Sequence, residues 1–448
     1  MRIGGDAIGR ESPSVPEPPV GWQRLAWLGP GFLWMVSAAG SGELLFTPRV
    51  GALYGYQLLW ALLIAVSLKW FVNREIGRYA VCTGENLVRG FARLPGPRGW
   101  AVWAIVVPQV AVAVATIAGL AGSAATALVL VLPGDLRIWT TGAVAGSTAL
   151  VIWGRYAGVE RVAVAIAVAL GLASVAAAVS VGPDISAMGS GLRPRVPSEV
   201  DIGEILPWLG FMLSGAAGMI WYSFWVIAKG YGAPAGASTD GQNGAEREQR
   251  LRGWLRQMTL DNSVAVIGTL VLAVAFLILG TELLRPAGLV PEEEKIAEVL
   301  GRLLGDVWER VGFWFMVLAI FVGFWDTVLS DQDGFGRMFE SGARHFQSAL
   351  RLPTSWLRTD RLRNSIVVIL LGVIPLILYL VVREPVGLLK LAGAIEAVHI
   401  PLVAGLTLYL NRRQLPEALR PGKVATTGTI LASVFFLAFA AYFLVDIV

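Results

Sequence analysis

Residues 28–50 read LGPGFLWMVSAAGSGELLFTPRV and residues 206–229 read LPWLGFMLSGAAGMIWYSFWVIAK, and each apolar stretch contains a glycine cluster. The clusters are Gly40-Ser41-Gly42-Glu43 and Gly215-Ala216-Ala217-Gly218. A membrane-spanning helix keeps its backbone hydrogen bonds within the segment, because hydrocarbon offers no water to replace them. Glycine favours an interruption, and interrupted helices persist only where they line a protected cavity. Two such helices in corresponding places predict the substrate site of a secondary transporter.

The composition is that of a membrane protein with many spans. Of 448 residues, 55% are hydrophobic and 15% are charged, and the mean hydropathy is +0.65. Soluble proteins have about a quarter charged residues. The net charge of +4 indicates no nucleic-acid partner, since arginines near helix ends orient a protein in the bilayer. Cys82 is the single cysteine, which excludes an internal disulfide and a cysteine-based metal cluster.

Long apolar windows predict an all-α polytopic protein with eleven transmembrane helices. They are expected at about 28–50, 55–79, 100–131, 137–154, 160–182, 206–229, 261–284, 310–336, 364–383, 387–411 and 424–446. Residues 1–24 are rich in Pro, Glu and Ser and lack the apolar core of a signal peptide, so we expect a disordered cytoplasmic tail. Residues 25–448 then form a single transmembrane domain.

Arginine clusters define the expected orientation. They lie in the N-terminal tail and after helices 2, 4, 6, 8 and 10, whereas the other loops hold fewer cations and include the acidic stretch 291–294. Because cytoplasmic loops are enriched in Lys and Arg, this alternation places the N terminus in the cytoplasm and the C terminus outside. We expect the cytoplasmic (inner) membrane as the location.

Helices 1–5 and 6–10 form two sets of five, at about 28–182 and 206–411. Because five is odd, the two sets have opposite orientations in the membrane, and each set begins with a predicted broken helix. This is the layout of inverted-repeat transporters, in which helices 1, 3, 6 and 8 surround a site at the midplane. The helix at 424–446 lies outside the repeat.

Several blocks resemble the Nramp (natural resistance-associated macrophage protein) family. Residues 29–33 (GPGFL), followed through the first glycine cluster to 51–60 (GALYGYQLLW), resemble its helix 1 and the start of its helix 2. Also similar are Thr83-Gly84-Glu85-Asn86-Leu87, Gly122-Ser123, Asp261-Asn262-Ser263, Pro401 and Asn411-Arg412-Arg413. The resemblance covers about residues 25–446, and it implies a LeuT-type 5+5 fold and secondary active transport.

The expected metal ligands of that family are largely replaced. Nramp metal transporters carry Asp-Pro-Gly-Asn at the helix 1 break, where this chain has residues 40–43, and Met-Pro-His at the helix 6 break, where it has Met219-Ile220-Trp221. The acidic pair of helix 3 falls on about Thr116 and Gly119, and the helix 10 glutamine falls near Gly393. Since Mn²⁺ and Fe²⁺ need several carboxylate, carbonyl or imidazole ligands, we expect no site for them.

Glycine-rich breaks instead favour an anion. Unpaired N–H groups and a helix dipole of about half an elementary charge make the start of a half-helix attractive to carboxylates and similar groups. We therefore expect a divergent, Nramp-related importer of a small anion, and bicarbonate is the most specific candidate substrate. The alternative is that the glycines only permit close helix crossing. The expected substrate site comprises Gly40, Ser41, Gly42, Glu43, Ser214, Gly215, Ala216, Ala217, Gly218 and Met219.

Helix 8 predicts a coupling-ion site. Asp326 and Ser330 are four residues apart and share one helix face, and hard oxygen ligands suit Na⁺. A bound Na⁺, the one possible cofactor, is expected between Asp326, Thr327 and Ser330 and the carbonyls near Ser37 and Ala38. Coupling to Na⁺ or H⁺ is left open, as is the role of Asp331, whereas Asp333 is expected at the cytoplasmic end, either solvated or paired with Arg337.

Glu43 has two interpretations: a proton carrier or cation ligand, and a structural partner of Arg49. Glu396 and His399 also have two interpretations, a proton relay and, the one we favour, a structural pair within the bundle. The sequence has no HExxH or nucleotide-binding motif, so no enzyme is expected. Two alternative cargoes remain. One is a divalent metal cation, hydrated Mg²⁺ more than Mn²⁺, in a site rebuilt from Glu43, Met219 and carbonyls. The other is an amino acid or organic cation.

Overall fold

The computed structural model describes residues 14–38, 40–97, 99–154, 157–197, 200–234, 244–350 and 359–447, and this part of the chain is all helical. Within it, nine helical stretches are long and apolar enough to cross a membrane: Gly40–Thr83, Trp100–Val131, Arg161–Val181, Ile202–Ala228, Gly244–Leu284, Glu293–Gln347, Arg361–Val382, Pro385–Gln414 and Lys423–Val445. The chain is therefore an integral membrane protein. The predicted count of eleven transmembrane helices, which includes a separate span at 137–154, stays a prediction.

Seventeen α-helices in the described residues form the bundle. Their bounds are α1 Gln23–Ala26, α2 Pro30–Ala38, α3 Thr47–Tyr54, α4 Leu59–Thr83, α5 Leu87–Phe91, α6 Trp100–Val131, α7 Leu136–Trp153, α8 Ala157–Val181, α9 Ile185–Gly191, α10 Ile202–Phe211, α11 Ala216–Ala228, α12 Gly244–Leu279, α13 Ile296–Leu350, α14 Thr359–Ser365, α15 Ile374–Val382, α16 Pro385–Gln414 and α17 Lys423–Ile447. Helix α6 packs against α13 and α16, and α10 packs against α16. These contacts bring the third, sixth, eighth and tenth predicted helices together.

The sixth predicted helix consists of two helices, α10 and α11. Between Phe211 and Ala216 the chain leaves the helical conformation, and Leu213 and Ser214 have φ values of 57° and 106°. Such values are rare for residues other than glycine. The interruption therefore lies just before the glycine cluster rather than inside it, and Gly215 is the N-cap of α11.

The first predicted helix contains a π-helical segment. Helix α2 ends at Ala38, and residues Gly40–Phe46 form a π-helix that continues into α3. Ala39 lies outside the described residues, so the predicted break in this segment stays a prediction. π-Helical turns occur mostly as single-turn bulges and often at functional sites. All seven residues of this segment are buried, which places them inside the bundle.

Helix α12 begins well before the predicted start at residue 261. Its arginine-rich first part stays helical, with ion pairs one turn apart from Arg250 to Glu246 (2.7 Å) and from Arg252 to Glu248 (2.6 Å). Asp261 is therefore a mid-helix residue. Its carboxylate accepts hydrogen bonds from the N–H groups of Gly29 (2.9 Å) and Gly31 (2.5 Å), which fixes the start of α2.

Helix α13 has a kink at Trp308 and Glu309, where φ and ψ leave the helical range.

Residues 14–22 contact α12. Val15 is buried, its carbonyl accepts a hydrogen bond from Arg250, and the carbonyl of Pro16 accepts one from Trp254. Residues 1–13 lie outside the described residues, and the disorder expected for residues 1–24 stays a prediction. The division into inverted repeats stays a prediction.

Candidate functional site

A small cavity of about 30 Å³ lies in the centre of the bundle. The π-helix 40–46, α6, α10–α11, α13 and α16 all contribute to its wall. The wall is polar on several sides and narrow. Its lining residues are Ser41, Val112, Thr116, Phe211, Ser214, Gly215, Ala217, Gly218, Trp221, Thr327, Asp331, Phe335 and Glu396. The predicted site between helices 1, 3, 6 and 8 therefore also includes helix 10.

Glu396 of α16 occupies the N-terminal end of α11. Its carboxylate accepts hydrogen bonds from the N–H of Ala217, at 3.2 and 3.3 Å to the two oxygens, and from Nε2 of Gln109 at 3.1 Å. The side chain is buried, and Gly215 leaves no space for a Cβ beside it. The helix end that was predicted to bind an external anion therefore holds a carboxylate of the protein itself. The N–H of Ala217 is therefore not free, and the anion site stays a prediction.

Asp331 of α13 is the second acidic residue of the cavity. It is 4% exposed, and its Oδ2 has no hydrogen-bond partner among the described residues. The hydroxyl of Thr116 also lacks such a partner there. Thr327, one helical turn before Asp331, donates its hydroxyl to the carbonyl of Gly323 (2.9 Å), so its oxygen remains available as an acceptor. An unpaired carboxylate at membrane depth is energetically costly, which by default marks a functional position.

Glu43 connects the first segment to the interruption before α11. It is 1% exposed, and its Oε1 accepts the N–H of Leu213 at 2.7 Å, whereas its Oε2 has no hydrogen-bond partner within the described residues. Arg49 instead binds Glu204, at 2.7 and 2.8 Å, and the carbonyl of Pro291. The interpretation of Glu43 as the partner of Arg49 is therefore wrong.

The predicted substrate residues separate into two groups. Five of them line the central cavity: Ser41, Ser214, Gly215, Ala217 and Gly218. The other five are not among its lining residues in the described part of the chain: Gly40, Gly42, Glu43, Ala216 and Met219. Met219 is completely buried and lies outside the described linings of both this cavity and the second one at Asp326.

The predicted Na⁺ ligands also lie apart. Asp326 lines a second, mostly apolar cavity of about 40 Å³ together with Gly40 and Gly323, whereas Thr327 lines the central one. Adjacent helix residues point about 100° apart, so Asp326 and Thr327 cannot share a face. Ser330 lines neither cavity among the described residues, and the side chains of Ser37 and Ala38 lie outside them. The Na⁺ site stays a prediction.

Glu396 and His399 do not contact each other directly. Both bind Gln109, whose Nε2 lies 2.9 Å from Nδ1 of His399, and Nε2 of His399 lies 3.0 Å from the carbonyl of Ala104. Asp333 binds Arg337 at 2.8 Å, which was one of the two environments expected from the sequence, and it also binds Arg363. The pair predicted in helix 10 is therefore a shared contact with α6.

Sequence reasoning missed Lys69 of α4. Its Nζ donates hydrogen bonds to three carbonyls of the interruption, those of Gly210, Met212 and Ser214. The sequence contains a feature that could have identified it, because Lys69 is a lone cation in the middle of an apolar window. Ionisable residues at this depth in the membrane are functional candidates by default.

A Gly42→Ala substitution is expected to destabilise the protein. A Cβ at this position would lie 2.8 Å from the carbonyl oxygen of Phe211 and 3.0 Å from Cα of Met212, so two backbone segments would have to separate. Overpacking of this kind costs about 1–3 kcal/mol. Thermal unfolding of the detergent-purified protein measures the loss. Gly405→Ala on α16, where nothing lies within 4 Å of the added Cβ, is the control. Equal stability of the two variants would contradict the prediction.

Comparison with known proteins identifies the family. A family model described as natural resistance-associated macrophage protein-like (Nramp) matches residues 31–446. The chain belongs to this Nramp-like family. This confirms the resemblance inferred from the blocks in helices 1 and 2.

Among curated relatives of this Nramp-like chain, an uncharacterized protein of Pasteurella multocida is 25% identical over 403 residues, covering 86% of this chain and 85% of its own length. A divalent metal cation transporter of Aeromonas hydrophila is 32% identical over 81 residues, 18% of this chain and 20% of its own.

Two solved structures share the fold. The manganese transporter of Eremococcus coleocola superposes with a TM-score of 0.71 at 17% identity, over 97% of this chain and 89% of its own. Mhp1, a nucleobase-cation-symport-1 family transporter, gives 0.55 at 14% identity, over 98% and 93%. The fold is therefore that of LeuT-type transporters.

Proposed function

We propose that this Nramp-like protein is a secondary transporter that imports a divalent cation, Mg²⁺ before Mn²⁺, by alternating access. The observation behind the proposal is that Asp331 and Glu396, both buried, line the same cavity from facing helices. Opposite charges attract strongly where little water screens them. Two carboxylates around one small space therefore favour a doubly charged cation over any anion.

The available ligands favour Mg²⁺. Among the described residues, no cluster of three or more His, Cys, Asp or Glu side chains is placed to hold a metal. Mg²⁺ keeps several of its waters and commonly uses only one or two carboxylates. The hydroxyls of Ser41, Thr116 and Thr327 offer acceptors for the hydrogens of such waters. Mn²⁺ remains the second candidate, since the names of a structural neighbour and of several relatives refer to manganese or divalent metal transport.

Bicarbonate is the less suitable cargo. The helix end expected to bind it is filled by Glu396, and Asp331 in the same cavity would repel a second negative charge. The only cation beside the interruption, within the described residues, is Lys69, and its hydrogen bonds already go to backbone carbonyls. In the same proposal, import of the divalent cation is coupled to H⁺ or Na⁺.

Uptake by proteoliposomes tests the cargo. Purified protein is reconstituted, and the entry of Mg²⁺, Mn²⁺ and labelled bicarbonate is followed with and without H⁺ and Na⁺ gradients, against protein-free liposomes. We expect saturable Mg²⁺ entry, weaker Mn²⁺ entry and bicarbonate entry at the level of the leak. Saturable bicarbonate uptake that neither metal inhibits would overturn the proposal.

A further inference from the structure

Lys69 lies where the transport machinery has its most irregular backbone. It belongs to α4, it is completely buried, and its Nζ donates to the carbonyls of Gly210 (2.8 Å), Met212 (2.6 Å) and Ser214 (2.8 Å). The first carbonyl belongs to the last turn of α10, and the other two belong to the interruption before α11. An uninterrupted helix would pair them internally, so the interruption is what exposes them.

The three contacts define the form of the amine. A neutral amine has two N–H donors, whereas the ammonium form has three, and three carbonyl oxygens lie within hydrogen-bond distance. The number of acceptors therefore matches the three N–H donors of the ammonium form. Unwound backbone carbonyls are also the groups with which broken-helix transporters coordinate small cations. The Lys69 ammonium thus occupies a place whose chemistry suits a free cation.

The surroundings balance the charge. The carboxylates whose charges act on Lys69 are Glu43 and Glu396, and the ring of Phe436 lies 5.4 Å from Nζ on another side. Glu43 also accepts the N–H of Leu213, which lies between Met212 and Ser214, two of the three residues whose carbonyls accept from Lys69. Both carboxylates and the aromatic ring therefore favour a positive charge on Nζ.

We propose that the Lys69 ammonium is a tethered cation, and that the carbonyls of Gly210, Met212 and Ser214 form a monovalent-cation site which it fills permanently. The interruption is then held open without an external ion at this place. Glu43 is neutralised from within the protein, so its charge is not available to the cargo. The proposal concerns the helix interruption and does not depend on which substrate is carried.

The Lys69→Ala variant tests the proposal through chemical rescue. It removes Cγ, Cδ, Cε and Nζ, and n-propylammonium consists of the same chain of heavy atoms. We expect the midpoint of thermal unfolding of this variant to fall by at least about 5 °C. Propylammonium should restore most of that loss, whereas an equal concentration of tetramethylammonium, which has no N–H donors, should not. The wild type should show no such gain. Lys229→Ala, which removes an exposed lysine at the end of α11, should show neither effect.

Two further outcomes decide the matter independently of uptake. A Lys69→Met protein keeps an apolar side chain of similar length but cannot donate to the carbonyls, so stability equal to the wild type would overturn the proposal. A Lys69→Ala protein that folds but does not respond to propylammonium, or that cannot be recovered in its presence, would also overturn it. Any Na⁺ bound near Asp326 would affect wild type and variants alike, so only the difference between them counts.

Discussion

Mg²⁺ uptake is expected to fall by at least about thirtyfold in the Asp331→Asn protein. Loss of one charged partner of a buried pair costs about 2–5 kcal/mol, and each 1.4 kcal/mol is a tenfold change in affinity. Asparagine keeps the size of the side chain and loses the charge that faces Glu396 across the cavity. The uptake assay in proteoliposomes measures the loss, with substrate concentrations varied so that weaker binding is separated from slower turnover.

Stability should not decrease in the same variant. Oδ2 of Asp331 has no hydrogen-bond partner among the described residues, so the substitution removes a buried charge and takes no acceptor away from an existing donor. Asp306→Asn is the matched control, because Asp306 is exposed on the same helix, α13. A folded Asp331→Asn protein that transports Mg²⁺ at the rate of this control would exclude Asp331 from the cation site. Lower thermal stability would instead indicate a structural role.

The position of the helix interruption shows how far the sequence predicts this fold. Glycines at 215 and 218 predicted a break to within about one turn, because glycine weakens a helix wherever it lies. The conformation itself is adopted by Leu213 and Ser214, which have no local preference for positive φ. What stabilises them is tertiary, since Lys69 and Glu43 bind the backbone of the same segment from other helices. No window of the sequence contains that information.

The chemistry of the site was less predictable for a similar reason. The amide end of α11 exists as expected, but the group that occupies it comes from Glu396, which is 179 residues away. On α13 the sequence placed Asp326, Thr327 and Ser330 at one ion site, whereas of these three only Thr327 lines the central cavity, together with Asp331. A helix turns about 100° per residue, so an error of one residue in phase exchanges one face for another. An apolar helix that is buried on most sides has no polar face, so its sequence does not indicate which residues point into the cavity.

The two carboxylates of the cavity should respond oppositely in stability, and Glu396→Gln is the second decisive variant. The Glu396 carboxylate accepts from the N–H of Ala217 and from Nε2 of Gln109, and both donors are buried. A glutamine offers one acceptor oxygen and directs an NH₂ group at a donor. Transport is expected to fall as strongly as in Asp331→Asn, and the free energy of unfolding should fall by about 1–3 kcal/mol because a buried donor loses its partner.

Uptake assays and thermal unfolding of the same preparations measure the loss of transport and the loss of stability. Glu384→Gln, at the exposed N-cap of the same helix, α16, controls for removal of a negative charge near that helix. If Glu396→Gln lost stability but kept its Mg²⁺ uptake, Glu396 would serve only to cap α11, and Asp331 alone would remain as the charged ligand. If the variant gained bicarbonate uptake, the helix end would be an anion site that the wild-type carboxylate blocks. Loss of both transport and stability, with the control unchanged, is the result expected of a carboxylate that holds the half-helix and the cation together.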